Sequence, residues 1–429
     1  MKKILCGIDF SGIQSFLYNI SGEKAARFLR ARSEYLDVLL DKAAQELREA
    51  CGGEMLYKGG GRAYILTEGG KEKTACISDV ERDLNNRLLC DYRGELYCAV
   101  GTAETSDEEL QADSNRAFHE VSRAISEKKM ARYSAEQILE LNKAPIEADR
   151  RECKECRRTD RLNPNGYCAV CAEIMQSSGG SGVDFQSYAN HAQGIRRLAV
   201  VRADADNLGQ AFSECGGLAE SKALSSALRE FFKEEVPRIC GKFPHTAVIY
   251  SGGDDLFLVG AWNEALDCIR RIREAFGKKR GGSLTLSAGI GMFPPKFPVK
   301  QMALQTADLE EAAKEHPDKN AIALFDRRFV FGWVEYEEQV LREKYEPIAA
   351  FFDKAPEQGK AYVYRILDLL RGMEERVNIA RLAYTLARTE RMPKELMNQI
   401  FEWAQDAKER RHLECALTLY IYRRRERED

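Results

Sequence analysis

An α+β chain with two ferredoxin-like domains is predicted by three features: a strand–helix–hairpin–helix–strand order in residues 198–325, the same order in the first hundred residues, and a glycine-rich hairpin at the matching place in each. In the first copy, Ile4 to Asp9 reads as an apolar strand ending in an acid, and residues 23–50 as a helix. Met55 to Leu66 is a hairpin around Gly59, Gly60 and Gly61, and Leu96 to Gly101 is a further strand. In the second copy, Leu198 to Asp204 is the strand, 218–239 the helix and Thr246 to Gly260 the hairpin, with Gly252, Gly253, Asp254 and Asp255 at its tip. A helix (263–277), a strand (Leu284 to Gly289), a helix (299–315) and a last strand (Ala321 to Phe325) follow. Aligned on the glycines, Leu56 to Arg62 falls on Ile249 to Asp255, and Asp9 falls on Asp204.

The remaining segments complete the division. Residues 1–130 form the first copy, 131–190 a linker with four cysteines and a Ser177–Gly182 loop, 191–329 the second copy, and 330–429 a helical bundle. The bundle is read from three- and four-residue apolar spacing in Tyr362–Arg371, Val377–Ala387 and Leu413–Tyr422, and the chain is expected to be all helical beyond about residue 330.

At 429 residues, 44% of them hydrophobic and 31% charged, the chain has the composition of a globular protein of several domains. No apolar run reaches membrane-span length, and the N-terminus meets Asp9 too early for a secretory signal, so no membrane role and a cytoplasmic location are expected. The net charge of −3 excludes a protein that coats nucleic acid over its whole surface. The stretch from Arg116 to Arg161 is nevertheless basic, and two readings stand: a solvated helix face or an RNA-facing patch.

Cys153-Lys-Glu-Cys156 and Cys168-Ala-Val-Cys171 are two C-x-x-C knuckles, each able to present two thiolates to one tetrahedral ion. The pattern predicts a structural zinc ribbon with no open coordination position, the alternatives being free thiols, a redox pair or an iron site. The other nine cysteines lack such spacing and read as small core residues.

Phosphoryl transfer uses two divalent cations about 3.5–4 Å apart, and carboxylates from neighbouring strands can hold them. Asp204, Asp254 and Asp255 are the candidates, with magnesium or manganese suited to hard oxygen ligands. Gly252 and Gly253 would let a triphosphate approach the backbone, although Gly-Gly-Asp-Asp is also ordinary turn chemistry. Asp206 and Asn207 place a second acid and an amide at the strand exit. Lys314 and Lys319, where the last helix feeds the last strand, either neutralise a polyphosphate or are solvated charges. In the first copy Gly61 and Arg62 replace the two hairpin acids, so that copy lacks a metal pair, and Gly59–Gly61 either admit a nucleotide or make a tight turn.

Ser251-Gly-Gly-Asp-Asp255, Asp204-Ala-Asp-Asn-Leu-Gly209, Gly7-Ile-Asp-Phe-Ser-Gly-Ile-Gln14 and Val377-Asn-Ile-Ala-Arg-Leu-Ala383 together resemble the large signalling subunit of type III-A CRISPR effector complexes. The resemblance covers nearly the whole chain and implies two palm domains of nucleotidyl cyclase type, a zinc insertion and a C-terminal helical domain. It implies conversion of ATP into cyclic oligoadenylates, switched on by target RNA, in company with other effector subunits and CRISPR RNA. It also implies metal binding by Asp204, Asp254 and Asp255, and ATP binding by Ser251, Gly252, Gly253, Asn207, Lys314 and Lys319. Gly59, Gly60 and Gly61 would belong to a second ATP pocket lent by a non-catalytic first palm. Relatives of this kind often begin with a histidine–aspartate nuclease domain. This sequence holds no adjacent His-Asp pair, so no DNA cleavage is expected. A silent scaffold subunit, or a cyclase making a different nucleotide signal, are the alternatives.

Overall fold

A computed structural model describes residues 2–20, 25–59, 61–112, 114–143, 149–177, 184–279, 284–354, 359–389 and 392–424. Gly60 and residues 178–182 of the expected loop lie outside them.

The first sheet contains β1 (Lys2–Ser11), β2 (Glu54–Gly59), β3 (Arg62–Glu68) and β4 (Tyr97–Ser106), in the order β2-β3-β1-β4. From Ile4 to Ser11 every residue of β1 is buried, as in a strand covered on both faces. One cover is the helix Asn115–Met130, whose Ala117, Val121 and Ile125 pack on Leu5, Ala99 and Ala103. Gly7 and Gly101 are register partners beneath it. A Cβ on Gly7 would lie 2.4 Å from Val121 Cγ1, and one on Gly101 2.5 Å from the Val121 carbonyl oxygen. The glycine pair therefore makes the slot into which this helix fits.

The four cysteines follow, partly on a short hairpin of β5 (Arg151–Glu152) and β6 (Thr159–Asp160). The second sheet comprises β7 (Leu198–Ala205), β8 (Thr246–Ser251), β9 (Asp255–Ala261), β10 (Leu286–Phe293), β11 (Ala321–Leu324) and β12 (Val330–Gly332), in the order β12-β11-β10-β7-β9-β8. Its segment β10-β7-β9-β8 has the strand order of β4-β1-β3-β2. The strand β12 corrects the expectation of an all-helical chain past residue 330, because Ala321–Ala323 of β11 pair with Val330–Gly332.

The chain divides into two compact units, one of Met1–Asp184, Asn207–Leu258 and Pro298–Ala303, the other of Phe185–Asp206, Val259–Phe297 and Leu304–Asp429. The first unit holds the first sheet, the cysteine segment and the acidic hairpin tip. The second holds β7, β10 to β12 and the C-terminal helices, whose apolar faces meet around Phe352, Ile366, Leu382, Ile400 and Leu417. Among the described residues no helix is long and apolar enough to cross a membrane.

Candidate nucleotide and metal sites

Within the first unit, the Gly252 N–H donates to the Asp255 carbonyl at 2.8 Å and closes the β8–β9 turn. A Cβ on Gly252 would lie 2.2 Å from Asp255 Oδ1 and 2.5 Å from the Tyr250 hydroxyl, so glycine is what admits this carboxylate beside the phenol. Gly252 and Gly253 are buried, while Asp254 and Asp255 are half-buried. Burial, and then the charges of Asp255 and Asp254, push the Tyr250 phenol well above its ordinary range. The hairpin tip is thus a place of negative potential. Ser251 is turned inward: its hydroxyl donates to the Phe232 carbonyl at 2.6 Å, in a π-helical turn over Phe231–Glu235. Expected to line ATP, this hydroxyl ties β8 to the preceding helix.

Within the second unit, Lys314 Nζ lies 2.9 Å from Asp204 Oδ1 and 3.4 Å from Glu310 Oε1. Arg202 holds the other oxygen of Glu310 at 2.8 Å. Asp206, the second acid at the strand exit, is buried and accepts from the Thr285 hydroxyl at 2.7 Å and from the Asn320 N–H at 3.0 Å. It fixes the turn of Lys319 and Asn320, both left-handed at φ 47° and 43°. Arg202 and Glu310 were not singled out from the sequence. The signal was there, since Arg202 sits two residues before Asp204 on one strand face and Glu310 one helical turn before Lys314. Asn207, at φ 54°, begins a short helix in the first unit.

The first copy is closed where the second is acidic. Asp9, 6% exposed, is paired with Arg62 at 2.9 Å and with Lys129 at 2.8 Å. Gly61 has φ 78°, and a Cβ there would lie 2.6 Å from Ile13 Cδ1. Its carbonyl accepts from the Phe10 N–H at 3.0 Å, which gives the tight-turn reading a physical basis. Gly59 ends β2 opposite Arg62.

The ligand atoms of Cys153, Cys156, Cys168 and Cys171 all lie within 4.8 Å of one another, and all four side chains are buried. The Cys168 N–H points to Cys153 Sγ at 3.4 Å and the Cys171 N–H to Cys168 Sγ at 3.5 Å, the donors a thiolate cluster needs. The Arg32 guanidinium, 1% exposed, reaches Cys171 Sγ at 3.8 Å and donates to the Asn19 carbonyl at 2.9 Å. A buried cation beside the thiols offsets part of the charge of a four-thiolate set. Hydrogen bonds from Cys156, then Cys168 and Cys171, hold the Cys153 thiol far below its ordinary range. Four buried sulfurs this close fit a soft, tetrahedral ion. The expected ribbon is modified, however, because Cys168 and Cys171 sit at the start of the helix Ala169–Ser177 instead of on a second hairpin.

The quartet is the one group of three or more metal-ligating side chains gathered within that distance among the described residues. The fit of Asp204, Asp254 and Asp255 to hard cations rests on donor chemistry, all carboxylate oxygen.

The basic stretch resolves mainly into ion pairs. Arg123 pairs with Glu127, Lys128 with Glu81, Lys129 with Asp9, Lys143 with Glu140, Arg157 with Glu152 and Arg158 with Glu95. Arg158 is only 12% exposed, so it braces the cysteine segment and is no part of a surface patch.

Three segments match known families: residues 2–144 the Csm1 subunit domain B, 197–323 the second palm domain of Cas10/Cmr2, and 349–426 the second helical domain of the Cmr2 subunit of a CRISPR RNA silencing complex. Across 99% of its length the chain is 33% identical to the Cas10/Csm1 subtype III-A single-strand-specific deoxyribonuclease of Mycobacterium tuberculosis, spanning 67% of that protein. It belongs to the Cas10/Csm1 family of type III-A CRISPR systems. The family protein of Enterococcus italicus is likewise 33% identical over 99% of this chain, and that of Streptococcus thermophilus 30% over 98%. In solved Csm1–Csm4 cassettes, one in complex with cA4 and one with AMPPNP, a chain shares this fold with a TM-score of 0.77 at 20% identity, covering 99% of this chain and 70% of its own length. As a member of this family the chain spans about two thirds of the length of its relatives.

Proposed function

We propose that this chain is the ATP-polymerising subunit of a type III-A CRISPR effector complex, making cyclic oligoadenylates when the complex holds target RNA. The observation that carries the reading is the charge reversal between hairpins: Asp254 and Asp255 stand where the first copy has Gly61 and Arg62. Family membership and fold support it, as do relatives' structures in complex with cA4, cA3 and ATP. Residues 1–130 would be a non-catalytic palm, 131–190 the metal-binding insertion, 191–329 the catalytic palm, and 330–429 a helical surface for partner subunits and their CRISPR RNA. The partner named for the structural relatives is Csm4.

In this reading Asp204, Asp254 and Asp255 hold magnesium or manganese, and the four cysteines hold zinc. When bound, the divalent pair lowers the pKa of the attacking hydroxyl and neutralises the leaving group. A ribose hydroxyl of one ATP attacks the α-phosphorus of another, an O–P bond forms, the α–β anhydride bond breaks and pyrophosphate leaves. The hydroxyl proton passes to a substrate phosphate. Gly252 and Gly253 leave space for the triphosphate, Lys314 and Lys319 offer it positive charge, and Asn207 lines its pocket; Gly59, Gly60 and Gly61 admit the second ATP. Ser251 acts by fixing the strand that carries the acids. The deoxyribonuclease activity in the relatives' names is not assigned to these residues, in which no histidine is directly followed by an aspartate.

The test is the reconstituted complex with target RNA, manganese and labelled ATP, followed by product masses. Cyclic oligoadenylate and pyrophosphate are expected. Absence of pyrophosphate release would favour a silent scaffold, and products from labelled GTP would point to a different signal.

A further inference from the structure

We infer that Lys314 closes Asp204 to divalent cations in the resting chain, and that Glu310 is the positioning residue that takes the Lys314 charge when a cation displaces it. The inference rests on Asp204 being a metal ligand, as proposed above. An ammonium 2.9 Å from a carboxylate oxygen occupies the place a cation needs, and ammonium and cation repel each other at such range. Lys314 must therefore give way, and a half-buried ammonium leaves more readily toward a second carboxylate.

Glu310 is that carboxylate, 3.4 Å away and one helical turn earlier. Its side chain is 10% exposed and Arg202 grips its far oxygen at 2.8 Å, so Glu310 stays in place while Lys314 moves. The fold builds this relay deliberately close to the sheet. Gly289 is the register partner of Arg202, and a Cβ on Gly289 would lie 2.2 Å from the Glu310 backbone nitrogen. Only a glycine lets the helix come near enough to set Glu310 over Arg202.

The first copy lacks the relay. Gly7 stands two residues before Asp9, where Arg202 stands before Asp204, and the 2.4 Å approach of Val121 leaves no room there for a longer side chain. Asp9 is instead locked by two cations, Lys129 and Arg62. In the second copy Lys314 meets Asp204, and Glu310 stands beside it as an acceptor for the lysine. Such a set serves a carboxylate that must open.

The experiment is manganese binding to the purified full chain without nucleotide, read by electron paramagnetic resonance, with the Asp254→Ala, Asp255→Ala variant as baseline. Lys314→Met should tighten the site about 5-fold or more and Glu310→Gln should weaken it about as much. In the double variant the effect of Glu310→Gln should vanish, since Glu310 acts through Lys314. Unchanged or weaker binding by Lys314→Met overturns the inference, as does an undiminished Glu310→Gln effect in the double variant. Melting curves check each fold, and Lys314→Gln serves if Met at this position unfolds the chain. If the baseline variant itself binds manganese like the parent, the metal assignment fails first, and visibly apart from the relay.

Discussion

Asp9 and Asp204 lie near the ends of the first strands of two sheets that share a strand order, yet their surroundings differ. Asp9 pairs with Arg62 and Lys129, whereas Asp204 meets Lys314 from the matching helix, and the residue that aligns with Arg62 is Asp255. The hairpin that carries Gly61 and Arg62 in the first copy carries Asp254 and Asp255 in the second. The comparison teaches that two sheets with one strand order can carry opposite charge at the same hairpin position.

The sharpest way to break this contrast is at the acids. Asp254→Ala with Asp255→Ala should lower pyrophosphate release by the reconstituted complex by about 100-fold or more, with an unchanged melting temperature. Asp9→Asn, in the sealed copy, should alter release by less than about threefold. Equal losses from both would show that the copies do not differ as described.

Metal removal separates the copies next. Chelation, or Cys168→Ser, should cost the first unit several kcal/mol (about 3 or more), as structural zinc sites contribute to folding directly. Hydrogen exchange should then rise in the Arg32-bearing helix Ala25–Cys51, with β10 and the helix Ala407–Arg424 keeping their protection. Uniform loss of protection would argue against a staple confined to the first unit.

Glycine slots offer a smaller effect on stability and a different one on the site. Gly101→Ala and Gly289→Ala each force a Cβ against helix backbone, at 2.5 Å from the Val121 oxygen and 2.2 Å from the Glu310 nitrogen. Each should destabilise by about 1–3 kcal/mol in urea titrations. Gly289→Ala should also shift manganese affinity through Glu310, and Gly101→Ala should not. The smallest effect is expected from Lys129→Met, about 1 kcal/mol, because Arg62 still faces Asp9 and the lysine is partly solvated.

The hairpins, the strand-ending acids and the cysteine knuckles were legible in the sequence because each is a local pattern of residue type and spacing. Other features were not. The helix Asn115–Met130 carries apolar residues at four-residue spacing, but its many charges give it the pattern of a solvated face. Strand β12 is three residues long, too short for any period to show. The inward turn of Ser251 depends on a π-helical carbonyl about twenty residues away, and Lys128, Lys129 and Arg158 of the basic stretch find their partners on distant elements.

By itself the sequence determined the α+β class, the repeated order of elements, the four-sulfur cluster and the loss of acids in the first hairpin. These follow from chain-local chemistry, which survives whatever the distant parts do. Tertiary structure alone decided which cation meets which carboxylate: Lys129 with Asp9, Lys314 with Asp204, Arg202 with Glu310. Ion pairing depends on distance in space, and that distance is set by glycine-lined slots that fix how close each helix lies to its sheet.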